Sequence, residues 1–124
     1  MELSAARVFV RDLASARQFY GEVLALPLQA GGVSHGFCVF SAGAVQLVVE
    51  PVEPNAPDDE QVLVGRFTGL SFSVASVEAK YHQLRALGVQ FTGEPETQPW
   101  GGVLATLLDP AGNALQLVQA PSAA

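Results

Sequence analysis

The chain has 124 residues, 49% of them hydrophobic and 15% charged, so its length and composition predict one compact domain with a substantial core rather than a disordered segment. Six basic residues against twelve acidic ones give a net charge of −6, and the cations Arg7, Arg11, Arg17, Arg66, Lys80 and Arg85 are scattered, which excludes the concentrated positive patch of a nucleic-acid or anionic-membrane binder. A single cysteine, Cys38, excludes an internal disulfide framework and a cysteine-based zinc cluster.

Ala6–Val10 alternates as a short strand, with Ala5, Arg7 and Phe9 on one face. Asp12 is placed to cap a helix whose apolar stripe is Ala16, Phe19, Tyr20, Val23 and Leu24, and Pro27 forbids its continuation. Gly31-Gly32 allows a turn, while residues 37–40 read as a strand, Ser41-Ala42-Gly43 as a turn and residues 44–50 as a further strand. On that strand Val45, Leu47 and Val49 form an apolar face, while Gln46 and Glu50 point to water or a polar cavity. Residues 51–65 hold three prolines and the run Asp58-Asp59-Glu60, a composition that predicts an irregular connector.

The opening pattern then returns. Residues 70–74 alternate as a strand, and Ser76 caps a helix with Val77, Tyr81, Leu84 and Leu87 on its apolar face. Gly88 ends it, Val89-Gln90-Phe91 begins a strand, and residues 94–98 read as a loop. Pro99-Trp100-Gly101-Gly102 leads into a hairpin. Its two apolar strands flank Asp109-Pro110-Ala111-Gly112-Asn113, where Pro110 presets φ and Gly112 or Asn113 accepts a positive one.

Laying Val10-Arg11-Asp12-Leu13 over Val74-Ala75-Ser76-Val77 matches strand to strand and helix to helix. The chain is thus an α+β fold of two βαβββ repeats, about 3–50 and about 66–120, joined by the connector 51–65. One helix covers one face of each sheet, and pairing two such units predicts a cupped mixed sheet whose cavity is the natural place for a site.

This pattern resembles the vicinal oxygen chelate superfamily, which includes glyoxalase I, bleomycin- and fosfomycin-resistance proteins and extradiol dioxygenases. The segments that carry the resemblance are Val8-Phe9-Val10-Arg11-Asp12-Leu13 running into Ala16-Arg17-Gln18-Phe19-Tyr20, and Asp109-Pro110-Ala111-Gly112-Asn113-Ala114-Leu115-Gln116-Leu117. The resemblance implies a divalent metal in the cup, with ligands from both repeats. Carried over residue by residue, the first-strand histidine falls on Ala5 and the second-repeat histidine on Gly69. The final-strand glutamate falls on Gln116, and the first-repeat carboxylate on Gln46 or, in a shifted register, on Glu50. A divalent site needs about three imidazole or carboxylate ligands, and at most one anionic ligand survives here.

No metal or other cofactor is therefore expected. The sequence supports a metal-free binding module first: a cytoplasmic homodimer holding a small organic molecule, with no nucleic-acid or membrane partner. The alternative is a divergent metal-dependent lyase, isomerase or dioxygenase with Glu50 as base or lone metal ligand. The candidate ligand contacts are Arg7, His35, Gln46, Glu50, Trp100 and Gln116. Arg7 either binds a carboxylate in place of the missing metal or pairs with Glu50; Trp100 stacks at the cavity rim or packs at a hairpin edge. His82 reads as a partly exposed helical histidine, Cys38 as a small mid-strand core residue, and the strand hydroxyls as structural, since no base stands beside them.

Overall fold

A computed structural model describes residues 1–122, and the chain divides into two compact units. The first comprises Met1–Arg66 with Pro110–Asn113; the second comprises Phe67–Asp109 and the chain from Ala114 on.

The first unit contains β1 (Ala5–Val10), α1 (Leu13–Gln18), β2 (Leu28–Gly32), β3 (Phe37–Ala42), β4 (Val45–Pro51) and α2 (Asp58–Gln61). Its sheet runs β1-β4-β3-β2, with β1 parallel to β4 and the other pairs antiparallel. Cross-strand partners share a face. Val8 pairs with Val49 and Val49 with Cys38, while Ala6 pairs with Leu47 and Leu47 with Phe40. These residues face α1 and the turn after it, where Ala16, Phe19 and Tyr20 are buried and the Tyr20 ring lies 6.1 Å from that of Phe40. α1 starts where the sequence predicts, because the Asp12 carboxylate accepts hydrogen bonds from the Ala14 and Ser15 amides at 3.0 and 3.3 Å. The Ser15 hydroxyl also donates to it, and this bond is the main reason the Asp12 carboxyl titrates below the ordinary aspartate range.

The second unit repeats the plan with β5 (Phe67–Ser73), α3 (Val77–Ala86), β6 (Gln90–Phe91), β7 (Glu96–Thr97), β8 (Val103–Leu108) and β9 (Ala114–Gln119). Its order, β5-β9-β8-β6 with β7 also on β8, reproduces that of the first sheet. Ala105, Leu107, Leu115 and Leu117 bury one sheet face, and Val77, Tyr81 and Leu84 are the buried side of α3. Ser76 caps α3 through the Ala79 amide at 3.1 Å, the counterpart of Asp12 under the repeat.

The local structure corrects the sequence reading in four places. The first helix changes pitch: Phe19–Val23 forms a π-turn, closed by the Leu24 amide on the Phe19 carbonyl at 2.8 Å. Gly21 lies within it and packs close to the Phe40 ring, which a Cβ there would approach to 3.3 Å. Gly31-Gly32 is not a turn but the end of β2, where both φ angles are positive and Gly31 lies against the Phe37 carbonyl. Residues 94–98 are not wholly loop, because Glu96–Thr97 pairs with β8. The connector is also more ordered than its prolines suggest. Asp58, Asp59 and Glu60 sit in the first turn of α2, the end of a helix where negative charge is favoured. The Gln61 amide donates to the carbonyls of Glu53, Pro54 and Ala56 and is itself held by Arg11.

Candidate functional site

Apart from His35, the polar residues singled out from the sequence fall on the strand faces turned away from the helices. In the first unit the register sets Ala5 opposite Gln46, Arg7 opposite Val48 and Phe9 opposite Glu50. The Gln46 amide donates to Gln29 Oε1 at 3.2 Å, across the irregularity in β2. Arg7 Nη1 lies 3.7 Å from Glu50 Oε2, and the arginine side chain is 65% exposed. Of the two readings of Arg7, the geometry therefore matches the pair with Glu50, an exposed ion pair of the kind that contributes about 0–1 kcal/mol. His35 stands apart in a 3₁₀ turn, Val33–His35, with Ser34 Oγ 3.4 Å from its Nδ1.

In the second unit Gln116 pairs with Ser71 on one side and Thr106 on the other, and its amide donates to Thr106 Oγ1 at 3.3 Å. Gln116 and Thr106 line a cavity of about 290 Å³ together with Thr92, Glu94, Glu96 and Gln98. Beside Leu104 and Ala105 its walls offer hydroxyls, amides and two carboxylates, with no basic residue among those that line it. Such a surface hydrogen-bonds a neutral or cationic polar group and repels an anion. Sequence reasoning found Gln116 but missed Thr92, Glu94, Glu96 and Gln98. The available signal was Glu94 and Glu96 standing two apart before a strand, the spacing that sends two side chains to one face. Trp100 is not among the lining residues; it is half exposed, and its ring covers Gly102, where a Cβ would stand 1.8 Å from ring carbon Cζ3.

Gly69 lies in a bulge of β5. Phe67 pairs with Ala114 and Ser71 with Gln116, so four residues of β5 span two of β9. The Thr68 hydroxyl holds the bulge: it donates to the Ala114 carbonyl at 2.8 Å and accepts from the Leu70 amide at 3.1 Å. Gly69 has φ +75°, a conformation that costs a residue with a Cβ roughly 1–2 kcal/mol.

These residues do not fit the divalent metal that the sequence resemblance implies. The register puts Gln46, not Glu50, opposite Ala5, and Glu50 lies four residues further on, about 13 Å along the strand. Ala5 and Gly69 carry no donor, and Gln46 and Gln116 offer neutral amides. Among the described residues, no group of three or more histidine, cysteine, aspartate or glutamate side chains is placed to hold a metal ion. Burial raises the Cys38 thiol above its ordinary range, away from the reactive thiolate form. No helix among the described residues is long and apolar enough to cross a membrane.

Comparison with known proteins agrees with this architecture. The family model described as the Glyoxalase/Bleomycin resistance protein/Dioxygenase superfamily matches residues 3–117. A bleomycin resistance protein of Klebsiella pneumoniae is 41% identical over 46 residues, which span 32% of this chain and 36% of that protein. Among solved structures, a superfamily member from Sphaerobacter thermophilus DSM 20745 has a TM-score of 0.80 at 26% identity, covering 96% of this chain and 97% of its own. TnmS3, an antibiotic binding protein from Streptomyces sp. CB03234, has a TM-score of 0.76 at 29% identity, covering 98% and 97%.

Proposed function

The chain belongs to the glyoxalase/bleomycin resistance protein/dioxygenase superfamily, and from that premise we propose that it is a cytoplasmic homodimer that binds a small organic molecule through polar strand-face residues, without the metal. The observation that carries this reading is that no imidazole or carboxylate stands at the matched ligand positions Ala5, Gln46, Gly69 and Gln116. What remains is hydrogen-bonding surface. Gln116, Thr106, Thr92 and Gln98 offer amides and hydroxyls around one cavity, and Glu94 and Glu96 bias it toward a neutral or cationic ligand group. On the first unit, Gln46, Arg7 and Glu50 offer a second polar strip with His35 as an outlying polar contact, and on the second unit Trp100 supplies an outlying aromatic one. The likeness to an antibiotic binding protein across nearly the whole of both chains supports a ligand of drug or secondary-metabolite size. Each polar contact contributes modestly, about 0.5–1.5 kcal/mol, so affinity rests on several of them acting together.

A thermal-melt screen tests this. Bleomycin is the first probe, followed by a panel of aromatic and aminated natural products. Ligand at 100 times its Kd adds about 2.7 kcal/mol to the native state, a rise of several degrees. We expect such a rise for at least one compound, and its loss in Gln116→Ala with the unliganded melting temperature unchanged. A panel without any shift, or a shift that Gln116→Ala leaves intact, counts against the assignment.

A further inference from the structure

A larger cavity, of about 570 Å³, opens where α3 ends and β6 begins. It lies within the range usual for small-molecule sites. Val89, Phe91 and Leu108 give it apolar walls, and Tyr81 packs behind them with its ring edge-to-face on Phe91 at 4.7 Å. Gly88 and Gly93 leave its rim open, since a Cβ on either would meet nothing within 4 Å.

Two opposite charges line this cleft, Arg85 and Glu94. Arg85 is held by Tyr81 through two contacts: Nη1 donates to the Tyr81 hydroxyl at 3.0 Å, and the guanidinium carbon lies 5.4 Å from the Tyr81 ring centre. One of its five N–H donors is thereby used, and the fork that grips a carboxylate is left with the rest. No ion pair joins Arg85 to Glu94; among the described residues the pairs are Arg7 with Glu50 and His82 with Glu78. A positioned guanidinium and a carboxylate thus share one cleft, with an apolar wall of Val89, Phe91 and Leu108, without forming an ion pair. We propose that this cleft is a second ligand site, for a small zwitterion of the amino-acid class. Its carboxylate meets Arg85, its ammonium meets Glu94, and its apolar body lies against Phe91 and Leu108. A molecule with one charge satisfies only half of this arrangement, which makes the site selective for the zwitterion.

The proposal does not rest on the strand-face reading. Glu94 borders both cavities, whereas Arg85 lines only this one and Gln116 only the other. The test is an amide chemical-shift titration of the ¹⁵N-labelled protein with L-phenylalanine, 3-phenylpropionate and phenethylamine. L-phenylalanine is expected to give saturable shifts over residues 81–94, with about tenfold higher affinity than either singly charged analogue. Arg85→Met is expected to lower its affinity to that of phenethylamine, and Gln116→Ala to leave it unchanged. Arg85→Lys keeps the charge without the fork and should fall between; with Glu94→Gln it carries the test if the melting temperature shows Arg85→Met to be misfolded. The absence of saturable shifts, equal binding of all three probes, equal binding by wild type and Arg85→Met, or a response centred on Thr106 and Gln116 would overturn it.

Discussion

Asn113 shows how much one side chain in a turn can do. The run Asp109-Pro110-Ala111-Gly112-Asn113 declares a tight turn from its chemistry alone, and Gly112 takes the positive φ expected of it. Asn113 does something a turn does not require. Fully buried, it donates to the Phe9 carbonyl at 2.8 Å and accepts from the amides of Gly65 and Arg66 at 2.8 and 3.3 Å. Partners 104 and 48 positions away leave no local trace, so the turn was legible and the strap was not. Asn113→Ala strands three backbone groups, and we expect a loss of about 2–4 kcal/mol, seen as a melting temperature lower by roughly 10 °C. A change under 2 °C would show that water satisfies those groups instead.

At the scale of elements, alternation and capping were enough to place β1, α1, β3, β4, α3, β8 and β9, because one buried face and one cap leave a regular pattern in sequence. The misses have physical causes. Paired glycines with positive φ read as a turn, yet in β2 they let the strand lie against the Phe37 carbonyl. The connector reads as irregular because prolines and like charges dominate it, while its order comes from one glutamine reaching three carbonyls. Gln61→Ala removes that brace. We expect faster amide hydrogen exchange over residues 56–64 and a global stability loss of no more than about 1–2 kcal/mol, since the segment opens locally. Unchanged exchange there would mean that packing of Val52 and the Phe9–Val64 bridge hold the segment without Gln61. The bulge in β5 was equally hidden. A glycine at a ligand position reads as a missing side chain, but its φ of +75° and the Thr68 staple make it a change of backbone as well.

Over the whole molecule, the repeat and the two short segments that carry the resemblance were legible, and the superfamily match over residues 3–117 agrees with them. The candidate site was only partly legible. Gln116 emerged by transfer from the metal-binding pattern, whereas Thr92, Glu94, Glu96 and Gln98 come together through the pairing of β7 with β8, which no local periodicity announces. The same superfamily plan is thus retained while the positions that would hold a metal carry no charged donor and one of them has changed its backbone.

The central claim is that this chain binds its ligand without a metal. It is tested most directly by isothermal titration of the purified, chelator-treated protein with Ni²⁺, Zn²⁺, Mn²⁺ and Fe²⁺, followed by dialysis and elemental analysis. We predict no saturable heat at micromolar metal and far less than one retained ion per chain. One tightly held ion per chain, displaced by Glu50→Gln or His35→Ala, would contradict it.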